Sequence, residues 1–229
     1  MNLKESLIRA GVWCRRFRHR CGYGVHSPFA FDLITRVIYE RLPYYGYEYL
    51  DQCYKNFTSS SGGSASRKVC RLLFRLANEM QPRQMLDLGT GNGLPALYLS
   101  MAVKKCPVLT LDEADCLADA RMFSSCGNVV SRVGDMPHEL LSCLPSFESL
   151  DFVHFNTRRP ERVLWEELLV KTHGRTLFVI EGICSSPAMK AWWTDVVADS
   201  RTGITFDLYD LGLVFFDLKK IKQHYVVNF

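Results

Sequence analysis

The sequence predicts an α/β fold: a mostly parallel sheet with helices on both faces, ending in a C-terminal antiparallel hairpin and preceded by an N-terminal helical extension. Three observations predict it. From about residue 84, short β-rich apolar runs alternate with helix-like stretches five times over, the pattern of parallel strands joined by crossover helices. Four of the five helical stretches open with proline near the first helical position, where the missing N–H costs nothing. Finally, 204–210 and 211–218 are two strand-like runs joined by a tight turn, with no room for a crossover helix, so they pair antiparallel.

The parallel strands are QMLDL (84–88), VLTLD (108–112), VVSRV (129–133), LDFVHF (150–155) and TLFVIE (176–181), with Gly89, Gly127, Gly134 and Gly182 at or near their ends. Helices are predicted over 95–103, 114–124, 137–144, 160–171 and 187–198. Before residue 84 the chain changes character. Lys4, Arg9, Arg15, Arg16, Arg18 and Arg20, against Glu5, mark a basic N-terminal helix, and a second helix follows with Ser27 as N-cap and Pro28 at its first position. Segment 43–57 reads as aromatic and irregular, 58–66 as a polar, flexible loop, and 67–80 as a helix. Residues 1–65 are therefore expected to form a helical extension or lid on a ligand-binding domain of residues 66–229.

Composition narrows the function. With 229 residues, 48% hydrophobic and 23% charged, the chain has enough apolar side chain for a core, and disorder, collagen and coiled coil are excluded. A net charge of +4 is too mild to indicate a nucleic-acid partner, and the N-terminal arginines read as a solvated helix face. The nine cysteines are scattered, odd in number and never in C-x-x-C spacing, which indicates neither a disulfide framework nor a zinc site and suits a reducing cytoplasm. The first twenty residues interrupt their apolar positions with charge, unlike a signal peptide, and the longest uncharged stretch, 94–103, is about half a membrane span.

The most informative segment is MLDLGTGNGLPALYLS. A strand ends in Asp87, and Gly89, Gly91 and Gly93 follow on alternate positions before a helix begins. Such glycines let the backbone turn sharply and approach a ligand closely, while the helix N-terminus offers free N–H groups. A glycine loop alone is also what any tight strand-to-helix turn looks like. Two further features add to it. Asp112 ends the next strand at the distance where an acid reaches ribose hydroxyls in nucleoside-binding α/β folds, and Asp135 ends the third, where it could accept an adenine amine. Asp87 would repel a pyrophosphate but attract an ammonium or sulfonium, which favours S-adenosylmethionine over a dinucleotide. A dinucleotide fingerprint can be forced as Gly91-x-Gly93-x-x-Ala96, yet it explains neither Asp87 nor the hairpin.

Asp87-Leu-Gly89-Thr-Gly91-Asn-Gly93, Asp112, Gly134-Asp135 and the final hairpin resemble the class I S-adenosylmethionine-dependent methyltransferases, with their Rossmann-like sheet, over about residues 58–218. The resemblance implies a cofactor-binding set of Asp87, Gly89, Thr90, Gly91, Gly93, Asp112 and Asp135, with Gly62 and Gly63 added from the polar loop. More narrowly, Gly24-Val-His26-Ser27-Pro28-Phe29, the run 72–76, Met189-Lys-Ala191-Trp192 and the segment 207–216 resemble a group of bacterial methyltransferases distantly similar to catechol-type O-methyltransferases. Those relatives hold a divalent metal with an aspartate after the fourth strand and an acidic or Asp-Asn pair after the fifth. Here the fourth strand runs into Asn156-Thr157-Arg158-Arg159 and the fifth into Glu181-Gly182, a poor magnesium site, so no catalytic metal is expected.

Methyl transfer without a metal rests on in-line positioning and, for an alcohol or phenol, on a base. His26 and Glu181 are the candidate catalytic residues, and Asn156 and Arg158 the candidate substrate contacts. His154, inside the fourth strand, reads as a packed core histidine. The expected function is transfer of a methyl group to a small-molecule acceptor, with O-methylation favoured. The alternative is a catalytically decayed protein of the same fold that binds the cofactor or a protein partner. The oligomeric state stays open, a homodimer included.

Overall fold

The computed structural model describes residues 3–60, 66–113, 126–157 and 159–229. Helix α1 (Leu3–Arg15) is followed by a short 3-10 turn, α2 (Pro28–Asp32) that continues as a π turn through Ile38, α3 (Tyr47–Ser60) and α4 (Arg67–Met80). The strands and helices then alternate: β1 (Met85–Leu88), α5 (Leu94–Ala102), β2 (Val108–Asp112), β3 (Val129–Val133), α6 (Met136–Cys143), β4 (Phe152–Phe155), α7 (Arg162–Leu169), β5 (Leu177–Glu181) and α8 (Pro187–Ala198). The chain ends in β6 (Thr205–Asp207), β7 (Leu211–Phe215) and β8 (His224–Val226).

All eight strands join one sheet in the order β3-β2-β1-β4-β5-β7-β6-β8. Strands β1 to β5 are parallel, and β7 alone runs antiparallel, paired with β5 on one side and β6 on the other. The order reverses at β1, with β2 and β3 to one side and β4 and β5 to the other, so a crevice opens beyond the carboxyl end of β1 where such folds take ligands. The strand pleat sorts the core into two layers. Met85, Phe152, Leu177, Val179 and Leu213 face α2 to α5, and Leu86, Val153, Phe155, Phe178 and Ile180 face α6 to α8. Helices therefore cover both faces, as the alternating pattern required.

Two elements depart from expectation. Segment 43–57, expected to be irregular, is largely the helix α3. Tyr47 and Leu50 are buried three residues apart, and Tyr44 and Tyr47 each pack edge-on against Phe74 of α4 with ring centroids 5.3 Å apart, and against each other at 5.2 Å. Burial of this aromatic face outweighs a composition poor in strong helix formers. The strand β8 also escaped prediction. It is three residues long and partly polar, and it exists by pairing parallel to the exposed edge of β6. The expected helix at 114–124 lies outside the described residues.

Caps confirm the predicted starts. The Ser27 hydroxyl accepts from Ala30 N at the head of α2, and the Ser186 hydroxyl from Met189 N at the head of α8. In the hairpin, a Cβ on Gly212 would stand 2.4 Å from the Trp193 ring, so α8 can lie on β7 only because that residue is glycine.

Candidate active site

The glycine loop turns on three residues in the left-handed region: Gly89 at φ +79°, Gly91 at +59° and Gly93 at +79°. They serve different ends. A Cβ on Gly89 would lie 2.7 Å from the Asn156 carbonyl oxygen, so this glycine lets β1 and β4 run side by side past their ends. Among the described residues a Cβ on Gly91 would meet nothing within 4 Å, so they leave the backbone there open. Gly91 N–H donates to Asp112 Oδ2 at 2.7 Å, which draws the end of β2 against the loop. Over it lies a cleft of about 190 Å³ lined by Gly89, Gly91, Asp112, Met136, Asn156 and Arg159. Arg159 spans its edge, with Nε 2.8 Å from Glu161 Oε1 and a terminal nitrogen on Glu113.

Beneath the loop the sheet register assembles a charged row. Thr110 of β2 pairs with Asp87 of β1, Asp87 with His154 of β4, and His154 with Val179 of β5, two residues before Glu181. Residues two apart share a face, so Asp87, His154 and Glu181 all project toward α4. His154 Nδ1 is 2.7 Å from Asp87 Oδ1, and Nε2 is 2.9 Å from Glu181 Oε1. The Asp87 and His154 side chains are fully buried, while Glu181 keeps 15% of its side chain exposed. Burial opposes the charged ring, but the two hydrogen bonds and the two carboxylates outweigh it and raise the His154 pKa to about 9. The raised pKa makes the ring an imidazolium at neutral pH, able to donate to both acids. Cys70 of α4 lies in their field, and burial pushes its thiol pKa far up, with Glu181 and Asp87 adding to the shift.

Among the described residues, four buried polar atoms of the glycine loop and the strands beneath it have no hydrogen-bond partner: Asp87 Oδ2, Thr90 Oγ1, Asn92 Nδ2 and Thr110 Oγ1. Leaving such groups unpaired costs about 1–3 kcal/mol each, so the arrangement is suited to a ligand that brings both donors and acceptors.

The predicted residues are distributed unevenly. Asp87, Gly89, Thr90, Gly91, Gly93, Asp112, Asn156 and Glu181 converge on the carboxyl edge of the sheet. Asp135 is exposed and serves as the N-cap of α6, its Oδ2 accepting from His138 N at 3.1 Å. His26 is not brought to the site. It lies three residues before Phe29, whose ring packs 5.0 Å from that of Phe215, and Phe215 pairs with Leu177 at the start of β5, the opposite edge of the sheet from Glu181. Gly62, Gly63 and Arg158 lie outside the described residues. The reading of His154 as a plain core histidine missed its two carboxylate partners. A signal was present, since Asp87, His154 and Glu181 fall on matching phases of the strand alternation, but nothing in the sequence says that β4 lies between β1 and β5.

The sequence matches no family model and no curated protein. Solved structures do match. An O-methyltransferase assigned as putative from Klebsiella pneumoniae superposes with a TM-score of 0.62 at 15% identity, covering 73% of this chain and 89% of that one. An O-methyltransferase from Bacillus cereus in complex with SAH gives 0.60 at 15% identity, covering 76% and 92%. A SAH-bound methyltransferase from Podospora anserina gives 0.62 at 13% identity, covering 94% and 97%. At identities this low the shared property is the architecture: this chain has the Rossmann-like fold of the O-methyltransferases.

Proposed function

We propose that this chain is an S-adenosylmethionine-dependent methyltransferase that methylates a small-molecule acceptor, at oxygen, without a catalytic metal. The observation that carries the reading is the set of buried atoms of Asp87, Thr90, Asn92 and Thr110, unpartnered among the described residues, around a glycine loop that these residues leave open at Gly91. They offer acceptors for an ammonium and donors for a carboxylate, the two groups at the methionine end of this cofactor, and an acidic residue at the loop suits its sulfonium. The Bacillus cereus O-methyltransferase in complex with SAH and the SAH-bound Podospora anserina methyltransferase support the same cofactor. Asp112, at the end of β2, is assigned to the ribose and Asp135, at the start of α6, to the adenine, while the N-terminal segment, described over 3–60, is assigned to cover the acceptor.

When bound, the cofactor supplies an electrophilic methyl group for in-line displacement. The chain's part is to position and to take a proton. Glu181 is the member of the buried row that reaches the surface, so it is the base for an acceptor hydroxyl, and His154 holds it through Oε1. Asn156, beside it at the end of β4, orients the acceptor; Arg158, the other candidate contact, lies outside the described residues. An amide and a carboxylate already bonded to imidazolium make a weak oxygen-donor set for magnesium, which supports the metal-independent reading. Among the described residues no helix is long and apolar enough to cross a membrane, and the eight described cysteines are free, which supports a cytoplasmic location.

Calorimetric titration with S-adenosylmethionine and S-adenosylhomocysteine tests the reading. Both are expected to bind with micromolar affinity, weakened at least about tenfold in Asp112→Ala, because charge-assisted hydrogen bonds contribute about 1.5–3 kcal/mol. No binding at millimolar ligand to folded protein overturns it. Turnover in a phenol and alcohol screen is expected to survive chelator. The Arg159 ion pairs across the cleft favour the second reading, a protein that binds the cofactor without turnover. Tight binding with no methyl transfer to any acceptor would select it.

A further inference from the structure

Helix α4 has a second working face. Cys70 faces the charges of Asp87 and Glu181, whereas Arg67, Lys68, Arg71 and Arg75, at helical spacings of one, three and four, line a separate cavity of about 580 Å³. Arg20 and Arg41 add two further cations to its wall, and Trp13, Tyr39 and Phe229 supply aromatic surface. Six cations thus face one lining acid, Glu40. That carboxylate is turned onto its own backbone, with Oε1 accepting from Arg41 N at 2.6 Å and Leu42 N at 2.7 Å. Asp51 holds Arg67 and Arg71 in ion pairs, at 2.6 Å for Arg71.

Among the described residues the remaining cations make no ion pair. Arg75 is buried and donates to the carbonyls of Val37 at 2.6 Å and Ile38 at 3.1 Å, so backbone oxygens at the end of the π turn fix its guanidinium. Among the described residues Lys68 makes no ion pair, and its Nζ stands 3.9 Å over the Phe229 ring. The protein around it strips water from the ammonium and lowers its pKa, with Arg75 and Arg9 adding to the shift and Asp210 opposing it. Arg20 lies over the Trp13 ring at 5.4 Å. Gathering like charges in one concavity is unfavourable unless an anion neutralises them, and several guanidinium groups with one ammonium suit the many oxygens of a phosphate better than one carboxylate.

We propose that this cavity is a second ligand site, which takes a small molecule carrying a phosphate or diphosphate on an apolar body. The cations hold the phosphate, and the Trp13, Tyr39 and Phe229 surfaces take the body. The volume falls within the range of small-molecule pockets and exceeds what a lone phosphate fills. The site is independent of the methyl-transfer reading, since it lies on the other face of α4 from the Asp87–His154–Glu181 row.

Pyrophosphate, titrated calorimetrically at constant physiological ionic strength, is the probe for the charged end. Saturable one-to-one binding is expected, weakened at least about tenfold in the double variant Lys68→Gln/Arg41→Gln. Arg41 is exposed, Lys68 is accessible with its ammonium partly desolvated, and neither makes an ion pair among the described residues, so the variant is expected to melt close to the wild type. Absence of saturation at millimolar pyrophosphate, or equal affinity in wild type and variant, overturns the proposal. So does binding only to long RNA or to anionic vesicles, which would make the face a macromolecular surface. S-adenosylhomocysteine titrated into the same samples separates the two readings: a chain that binds it but not pyrophosphate overturns only this one.

Discussion

At the scale of single residues, the two glycines Gly89 and Gly91 make opposite predictions from the same sequence motif. Both have positive φ, which costs an alanine about 1–2 kcal/mol. Gly89→Ala also drives a Cβ against the backbone oxygen of Asn156, which cannot swing away, so it is expected to lose more than about 2 kcal/mol in urea unfolding. Gly91→Ala meets open space, so it is expected to fold with a loss near the backbone cost alone and to lose S-adenosylhomocysteine binding. The same stability loss in both variants would remove the distinction. The buried imidazolium makes a pH prediction. The folded pKa of His154 is raised from 6.5 to about 9, so the native state binds its proton more tightly than the unfolded chain. The stabilisation is complete below about pH 6.5, declines from there to about 9, and is absent above. Unfolding free energy measured across that window is expected to fall in the wild type and to stay flatter in His154→Gln. Parallel curves would show that the ring is neutral.

At the scale of elements, the strand and helix boundaries were largely legible because each is written locally. β2, β3, α8 and the glycine turn appear where apolar alternation, proline and serine caps place them. Asp135 shows how one residue type at one position admits two readings. It sits at a strand end, where an acid can meet a nucleoside, and at a helix start, where it caps. The capping role predicts that Asp135→Ala destabilises the protein by about 1 kcal/mol, while Asp135→Asn, which keeps an accepting oxygen, stays near wild type. Denaturant melts of the two variants check it, and equal losses would assign the cost to charge. Helix α3 was not legible, since its helicity depends on Phe74 standing where Tyr44 and Tyr47 can pack on it.

At the scale of the whole molecule, the N-terminal segment is fastened to the C-terminal hairpin across about two hundred residues of chain. Arg16 grips Asp207 with two parallel hydrogen bonds of 2.8 and 3.0 Å, both side chains largely buried, and Arg9 grips Asp210 with two of 2.7 and 2.8 Å in much more exposed surroundings. Exposure decides their worth. Arg16→Ala is expected to cost about 2 kcal/mol, because it strips a buried carboxylate of a charged donor, and Arg9→Ala less than about 1 kcal/mol because water screens and replaces it. Equal effects in equilibrium unfolding would contradict this ordering. The pairing matters for function because the turn between β6 and β7 adjoins the end of β5, where Gly182 N–H donates to Asp210 O.

The sequence by itself determined the layered α/β architecture, the antiparallel hairpin and the glycine turn with Asp87 and Asp112 beside it, because hydrophobic period, cap chemistry and positive-φ glycines are properties of neighbouring residues. Only the tertiary structure decided that His154 is clasped between Asp87 and Glu181, that His26 stands at the far edge of the sheet, and that the arginines of α4 share a cavity with Arg20 and Arg41. Those facts depend on strand order and on which helix faces meet. Such contacts join residues dozens of positions apart, and their energies exist only once the chain has folded.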